Sequence, residues 1–597
     1  MAPLSPFGEN AAQGERGTTN LRAAWFFAVA YFIAIFTLIS VSAFLQKSPT
    51  VDEPIHLFAG CSYLKFGDFR ANPEHPPLAK MWAALPLLAH PIKDFRSYPQ
   101  WERSADGLII ETAQAAHDAM FVDNEAEPLF FFAKLQMIAV AIVLGVFVSI
   151  WAARLYGGAA GIAALAIFGL DPNILAHSAN IHTDVPFAAC FFIGSYYFWR
   201  FLRDGAWWRL ALTALCFGLA AATKYAAPGV FLAWLLLGIV WIFSRHETAA
   251  VNGTRRRKFY RAAAVLFAAP VAAYAVIWAA YGFRYDAVPG GAHHFHFEWF
   301  LPGESSLLRA PALFALGHHV LPEAWLYGQS YVLGSLRRPA YLLGQMSAVG
   351  FHAYFPVAFA VKTPLPTIIL AAADLWLAAR GALRRIDAAF LIVPAAVYFL
   401  LAVGTGINIG LRHILPIYPF LFVLIAGAAA HLWRSGRLWR AALGILAVWY
   451  VASAVRIYPH YLAYFNEAAG GPKNGYKILN DSNLDWGQDL KGLKLWMERE
   501  RVEKIRFVHF GYDDPEYYGI DASYLAGTWI LFDPPATQSP GPYRYVAVSP
   551  SLLYSPFLLG RRPQVEFVEQ FRGKEPLATI GYSIFIFKNE DPQAHAR

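Results

Sequence analysis

The chain has 597 residues, 57% of them hydrophobic, 16% aromatic and 15% charged, with a formal net charge of +8. So little charge cannot cover several soluble domains, in which about 25% of residues are charged. The aromatic content excludes disorder, three cysteines exclude a disulfide scaffold, and a polytopic α-helical membrane protein remains.

Apolar runs near 23–45, 129–152, 158–178, 184–202, 208–223, 226–243, 260–281, 364–379, 388–405, 413–432 and 439–456 predict about eleven transmembrane helices. The first is too long for the apolar part of a signal peptide and reads as an uncleaved anchor, although Val41-Ser42-Ala43 is cleavage-like. Asp171-Pro172 marks a kink with a partnered carboxylate. Three segments are too polar to span. Residues 46–128 and 282–363 form large loops, and 457–597 forms a mixed α/β domain. In that domain 484–501 has helical spacing, with Leu490, Leu493 and Trp496 on one side, and 504–510, 543–548 and 578–587 read as strands. Residues 1–456 are then a transmembrane domain and 457–597 a separate one.

Charge sets the direction. Alternate loops are rich in arginine, with Arg154, Arg203, Arg257, Arg380 and Arg434 among them, whereas the short loops between carry chiefly Lys224 and Arg412. The arginine-rich side and the N-terminus are expected in the cytoplasm, and the C-terminal domain outside. Basic residues scattered over several loops do not make a nucleic-acid surface.

Ionisable residues near membrane depth are costly and point to function. They collect at the expected outer face: Asp52 and Glu53 after the first run, Glu74, His75 and Lys80 in the first loop, and Asp184 before the fourth run. Lys224 follows between the fifth and sixth runs, and Arg412 and His413 open the tenth. Asp52 and Glu53 offer a base, Asp184 and Glu74 oxygen ligands for a divalent cation, and Lys80, Lys224, Arg412 and His413 positive charge. A base with a cationic clamp suits transfer of a group away from a phosphate leaving group. Taken singly, each residue also has a plainer reading, as a solvated helix end for Asp52-Glu53 or an interfacial cation for Lys224 and Arg412. His293, His294 and His296 look like a metal tract, but no spacing pins them and they read as a solvated loop.

The motifs resemble those of C-type membrane glycosyltransferases, which use lipid-phosphate sugars. This group includes protein O-mannosyltransferases, the lipid A aminoarabinose transferase and oligosaccharyltransferases. The matching stretches are Val51-Asp52-Glu53-Pro54, Glu74-His75-Pro76-Pro77-Leu78-Ala79-Lys80, His182-Thr183-Asp184-Val185-Pro186, Gly218 through Lys224, and Gly410-Leu411-Arg412-His413-Ile414-Leu415-Pro416. The resemblance implies that fold, with Asp52 as catalytic base or acceptor-positioning carboxylate and Glu53 and His75 beside the acceptor. It implies Lys80, Lys224, Arg412 and His413 at the donor phosphate, and Asp184 with Glu74 at a divalent ion such as Mg, Mn or Zn. His75 departs from the lysine of the aminoarabinose transferase and leaves sugar and acceptor open. Asn480-Asp481-Ser482-Asn483-Leu484-Asp485-Trp486-Gly487-Gln488-Asp489-Leu490 resembles a motif of bacterial members. Asp485 and Asp489 there read as the start of a helix, and Trp486 as a candidate sugar platform.

The expected activity is therefore inverting transfer of a hexosyl or pentosyl group from a polyprenyl-phosphate carrier to a glycan, lipid or protein acceptor. The place is the outer face of a bacterial cytoplasmic (inner) membrane. The alternative is a transporter or flippase for a lipid-linked sugar, for which ionisable groups at the bilayer midplane and two matching halves are expected.

Overall fold

The computed structural model describes residues 15–104, 109–244, 255–291, 295–301, 309–380, 385–524, 543–554 and 562–589. His293 and His294 lie outside them.

All eleven apolar runs fall on helices. Seven single helices are long and apolar enough to cross a membrane: Ala23–Phe44, Ala126–Tyr156, Asp184–Asp204, Arg255–Ala280, Ile386–Gly404, Leu411–Arg434 and Arg437–Ile457. Two bent pairs bring the number to nine if each is one span. Gly158–Leu170 and Pro172–Ser178 meet at 64°, and Tyr354–Lys362 and Leu365–Ala378 at 111°. Trp207–Ala221 and Ala227–Phe243 are shorter, at 15 and 17 residues. Proline, which has no N–H to give, makes both breaks. At the first, Asp171 accepts from the N–H of Asn173 (2.9 Å) and Ile174 (3.1 Å) and restarts the helix. That satisfies backbone groups for which hydrocarbon offers no partner.

Among the described residues, the polar segments carry regular elements. The first loop holds the helices Asp52–Phe66 and Leu78–Ala84 packed face to face. Gly60 permits the contact, because a Cβ there would lie 2.1 Å from the Lys80 carbonyl oxygen. The second loop carries Glu323–Gly334 and a hairpin, β1 (Ala340–Leu342) with β2 (Gln345–Ser347). Gly328 in that helix is pressed on the first loop; a Cβ would stand 1.9 Å from the Pro73 carbonyl oxygen.

The C-terminal segment builds a five-stranded sheet in the order β4-β3-β5-β7-β6, from β3 (Lys504–Val508), β4 (Asp521–Tyr524), β5 (Tyr545–Val548), β6 (Ala578–Ile580) and β7 (Ile584–Lys588). β3 runs parallel to β4 and β5, and β7 antiparallel to β5 and β6. Helix Leu490–Arg499 buries Leu490, Leu493 and Trp496 on one face, while Val568 and Phe571 cover the other. Two expectations change here, and one strand, β4, is added. The strand expected over 578–587 is a hairpin turning at Gly581 (φ 59°). β4 is only four residues long, so its alternation of Ala522 and Tyr524 is too short to mark a strand in the sequence. The helix expected over 484–501 begins at Leu490, because Gly487 at φ 84° breaks its first turn and Asp485 is drawn away to Ser549 and Ser551.

Three sets of bonds join this segment to the helices. Buried Lys362 donates to the carbonyl oxygens of Leu462 (2.9 Å), Tyr464 (3.0 Å) and Asn483. Asp489 pairs with Lys47 at 2.5 Å. The backbone N–H groups of Ser48 and Val51 donate to the carbonyls of Gln488 (3.0 Å) and Trp486 (2.9 Å).

Candidate active site

Five stretches far apart in sequence meet at one end of the helix bundle, around a cavity of about 600 Å³. Asp52 and Asp184 each open a helix, where a carboxylate is favoured by the free N–H groups. Lys224 stands in the break between Trp207–Ala221 and Ala227–Phe243. Arg412 and His413 belong to the 3₁₀ turn Leu411–Ile417 that leads into a spanning helix. Glu74 and His75 precede Leu78–Ala84. All seven line the cavity. Each lies where an apolar helix starts or stops, so the ends of the helices bring them together.

Their charges interleave. Arg412 Nη1 is 3.2 Å from Asp52 Oδ2 and 3.7 Å from Asp184 Oδ2. Lys224 Nζ bonds the other Asp184 oxygen. Arg338, from the second loop, holds Glu74 at 3.0 Å and also lines the cavity. Asp184 Oδ2 and His413 Nε2 are buried with no hydrogen-bond partner among the described residues. Burial pushes the Asp52 carboxyl above its ordinary 3.8, with Arg412 pulling the other way and Asp184 adding to the rise. His75 is held neutral, since burial and then His56 and Lys80 push it well down.

Away from these charges the lining is apolar: Leu333, Leu336, Phe355, Leu401 and Ile407, with Tyr398. Leu401 is 42% exposed on the flank of its helix, so part of this apolar lining reaches the surface of the helix bundle.

The C-terminal motif supplies the remaining wall. Trp486, Asp481, Phe510 and Tyr512 line the cavity. The Arg412 guanidinium lies 4.2 Å from the Trp486 ring centroid, a cation–π contact. Ser482 Oγ accepts from Arg412 Nε at 3.2 Å, and Asn483 Oδ1 accepts from the Leu411 N–H at 2.9 Å. The motif thus fixes Arg412 from below and, through Val51, the start of the Asp52 helix. Asp481 sits at φ 57°, and burial pushes its carboxyl up to about 7.

Two expected site residues lie off the cavity. Glu53, fully buried, accepts from the N–H of Thr50 (2.7 Å) and Ile181 (2.9 Å) and pairs with Lys134. It braces the first loop against the segment before Asp184 and touches no open space. Lys80 is turned inward, donating to the Asn72 carbonyl (2.6 Å), the His75 carbonyl (2.7 Å) and Tyr63 Oη (2.9 Å). It shapes the loop that presents Glu74 and His75. Arg338 and Tyr512 escaped the sequence reading, and Asp481 figures in it only as part of the tail motif, without a role at the site. They sit in polar loops with no periodicity, and Arg338 carries no signal beyond its charge.

The Asp184–Glu74 pair does not fit a resident divalent ion. Glu74 is engaged by Arg338 and Asp184 by Lys224 and Arg412. Among the described residues no three His, Cys, Asp or Glu side chains group as a metal would need.

No family model and no curated protein sequence matches the chain. Among solved structures, ArnT from Cupriavidus metallidurans is 12% identical, over 94% of this chain and 97% of that one. Its TM-score is 0.44 in the apo state and 0.46 bound to undecaprenyl phosphate. The archaeal oligosaccharyltransferase AglB from Archaeoglobus fulgidus, in complex with an inhibitory peptide and a dolichol-phosphate, is 12% identical over 94% of this chain and 76% of that one, with a TM-score of 0.41. ArnT and AglB are C-type membrane glycosyltransferases. The chain is similar to them. The likeness is distant, and the residues of the cavity are what bear on function.

Proposed function

We propose that the chain is an integral-membrane glycosyltransferase that moves a sugar from a polyprenyl-phosphate carrier to an acceptor hydroxyl at the outer face of a bacterial cytoplasmic membrane. The observation that carries this is the convergence of Asp52, Asp184, Lys224 and Arg412, from four separate stretches, on one cavity whose remaining wall is largely apolar. A soluble phosphate ester has no use for that apolar wall, and a lipid-linked one does.

Each residue then has a defined task. Asp52 Oδ takes the proton of the acceptor hydroxyl as its oxygen attacks the anomeric carbon. The bond from that carbon to the phosphate oxygen breaks, and its electron pair stays on the polyprenyl phosphate. Lys224 and Arg412 stabilise the charge that collects there; His413 Nε2 and Arg338 stand close enough to add to it. One displacement inverts the anomeric centre. Asp184 orients both cations, and its unmet oxygen accepts a hydroxyl of the substrate. Glu53 and Lys80 act at one remove, as positioning residues. The described residues from 457 onward act as an outer domain that closes the acceptor side through Trp486 and Tyr512.

The test uses the purified full chain in proteoliposomes, with labelled polyprenyl-phosphate sugars and envelope extract as the acceptor pool. Label joined covalently to an acceptor, with release of polyprenyl phosphate, supports the reading. Label that crosses the bilayer still attached to its carrier overturns it in favour of a flippase.

A further inference from the structure

A second cavity, of about 430 Å³, shares no lining residue with the first. It is a furrow between Gly158–Leu170, the start of Leu365–Ala379, the last turns of Tyr418–Arg434 and the middle of Arg437–Ile457. Its walls are small, with Ala159, Ala163, Ala166, Ala430, Gly444 and Ala447 among them. Small residues ordinarily let membrane helices close on one another. Here they border open space, and a Cβ at Gly444 would meet nothing within 4 Å. From Ala159 to Leu170 the wall rises about 16 Å at 1.5 Å per residue, close to half of the ~30 Å hydrocarbon thickness.

One mouth of the furrow differs from the rest. Arg434 and Trp433 line it. Arg440 is folded against it, its Nε donating to the Trp433 carbonyl at 2.9 Å. The thirteen-residue helix Gly158–Leu170 also begins there, with Ala159 in the lining, and a helix N-terminus attracts an anion. Between residues 388 and 466 the sequence has no Asp or Glu, so the two later helices bring no carboxylate to the mouth; Arg434 Nη2 donates to the Tyr156 carbonyl at 3.5 Å, and Asp374, on the Leu365–Ala379 wall, is buried.

We propose that this furrow binds one anionic phospholipid. Its phosphate meets Arg434 and the start of Gly158–Leu170, and an acyl chain lies along the alanine wall toward Tyr450. The apolar wall takes any lipid tail; the charged mouth selects a headgroup without a compensating amine.

Native mass spectrometry of the purified full chain, supplied with dioleoyl phosphatidylglycerol or dioleoyl phosphatidylcholine, reads the binding. The wild type retains phosphatidylglycerol in preference. Arg434→Ala lowers that retention about fivefold, the worth of one arginine against an anionic lipid, and leaves phosphatidylcholine unchanged. Ala163→Trp and Ala447→Trp, on two different helices, fill the furrow and expel the lipid; gel filtration and melting confirm that each variant is folded. Equal retention of the two lipids by the wild type, or phosphatidylglycerol retained undiminished in both folded tryptophan variants, overturns the proposal.

Discussion

Asp52→Asn changes one oxygen for one nitrogen at the mouth of the site. The side chain keeps its size, and Val51 stays held by the Trp486 carbonyl at 2.9 Å, so the chain folds and inserts as before. What is lost is a cavity carboxylate that combines partial exposure, 28% for its side chain, with a basicity raised by burial. A positioned base contributes about 10²–10⁴-fold to proton-transfer steps, or roughly 3–5 kcal/mol of barrier. Turnover of labelled donor should fall by that factor, while donor binding, which rests on Lys224 and Arg412, changes little. The wild-type pH profile adds a second readout. Asp52 works as a base only when ionised, and its carboxyl is held above 3.8. Activity therefore fails on acidification at a higher pH than an ordinary carboxylate dictates, and Asp52→Asn abolishes that limb. Turnover within threefold of wild type in the asparagine variant would refute the assignment.

Lys224→Met removes a cation from the leaving-group side and leaves Asp184 facing Arg412 alone. Donor KM rises and kcat falls together by at least about tenfold, measured with saturating acceptor, through loss of one charge-assisted contact. Lys134→Ala strands the fully buried Glu53 carboxylate. It costs about 3–5 kcal/mol of stability, seen as a lower melting temperature, and any activity loss follows unfolding. Lys80→Met leaves the Asn72 and His75 carbonyls unmet, at about 1–3 kcal/mol each. Folded Lys80→Met protein should keep its donor KM; a donor KM raised tenfold would return Lys80 to the phosphate.

The apolar runs were legible because a bilayer imposes a length and a composition on whatever crosses it. The site residues legible with them share one property: Asp52, Asp184, Lys224 and Arg412 sit where such runs end. Lys80 joins them on its charge and its motif, yet it points inward. Its direction depends on how Asn72 and His75 fold back, which no local pattern encodes. The tail motif misled in the same way. Asp485 and Asp489 have the spacing of a helix start, but Asp485 is claimed by Ser549 and Ser551 and Asp489 by Lys47 and Ser583. Those partners are tens to hundreds of residues distant. Arg338 is the opposite case, an unremarkable loop arginine until Glu74 is brought within 3.0 Å of it.

The backbone pairing of Ser48 and Val51 with Gln488 and Trp486 also bears on biogenesis. A ribosome delivers Asp52 early and Trp486 late, so the nascent chain carries its base through most of elongation without the segment that fixes it. If the proposed function holds, a half-made polypeptide already lodged in the membrane is expected to be inert, sparing activated carrier until the tail has closed on the beginning of the chain.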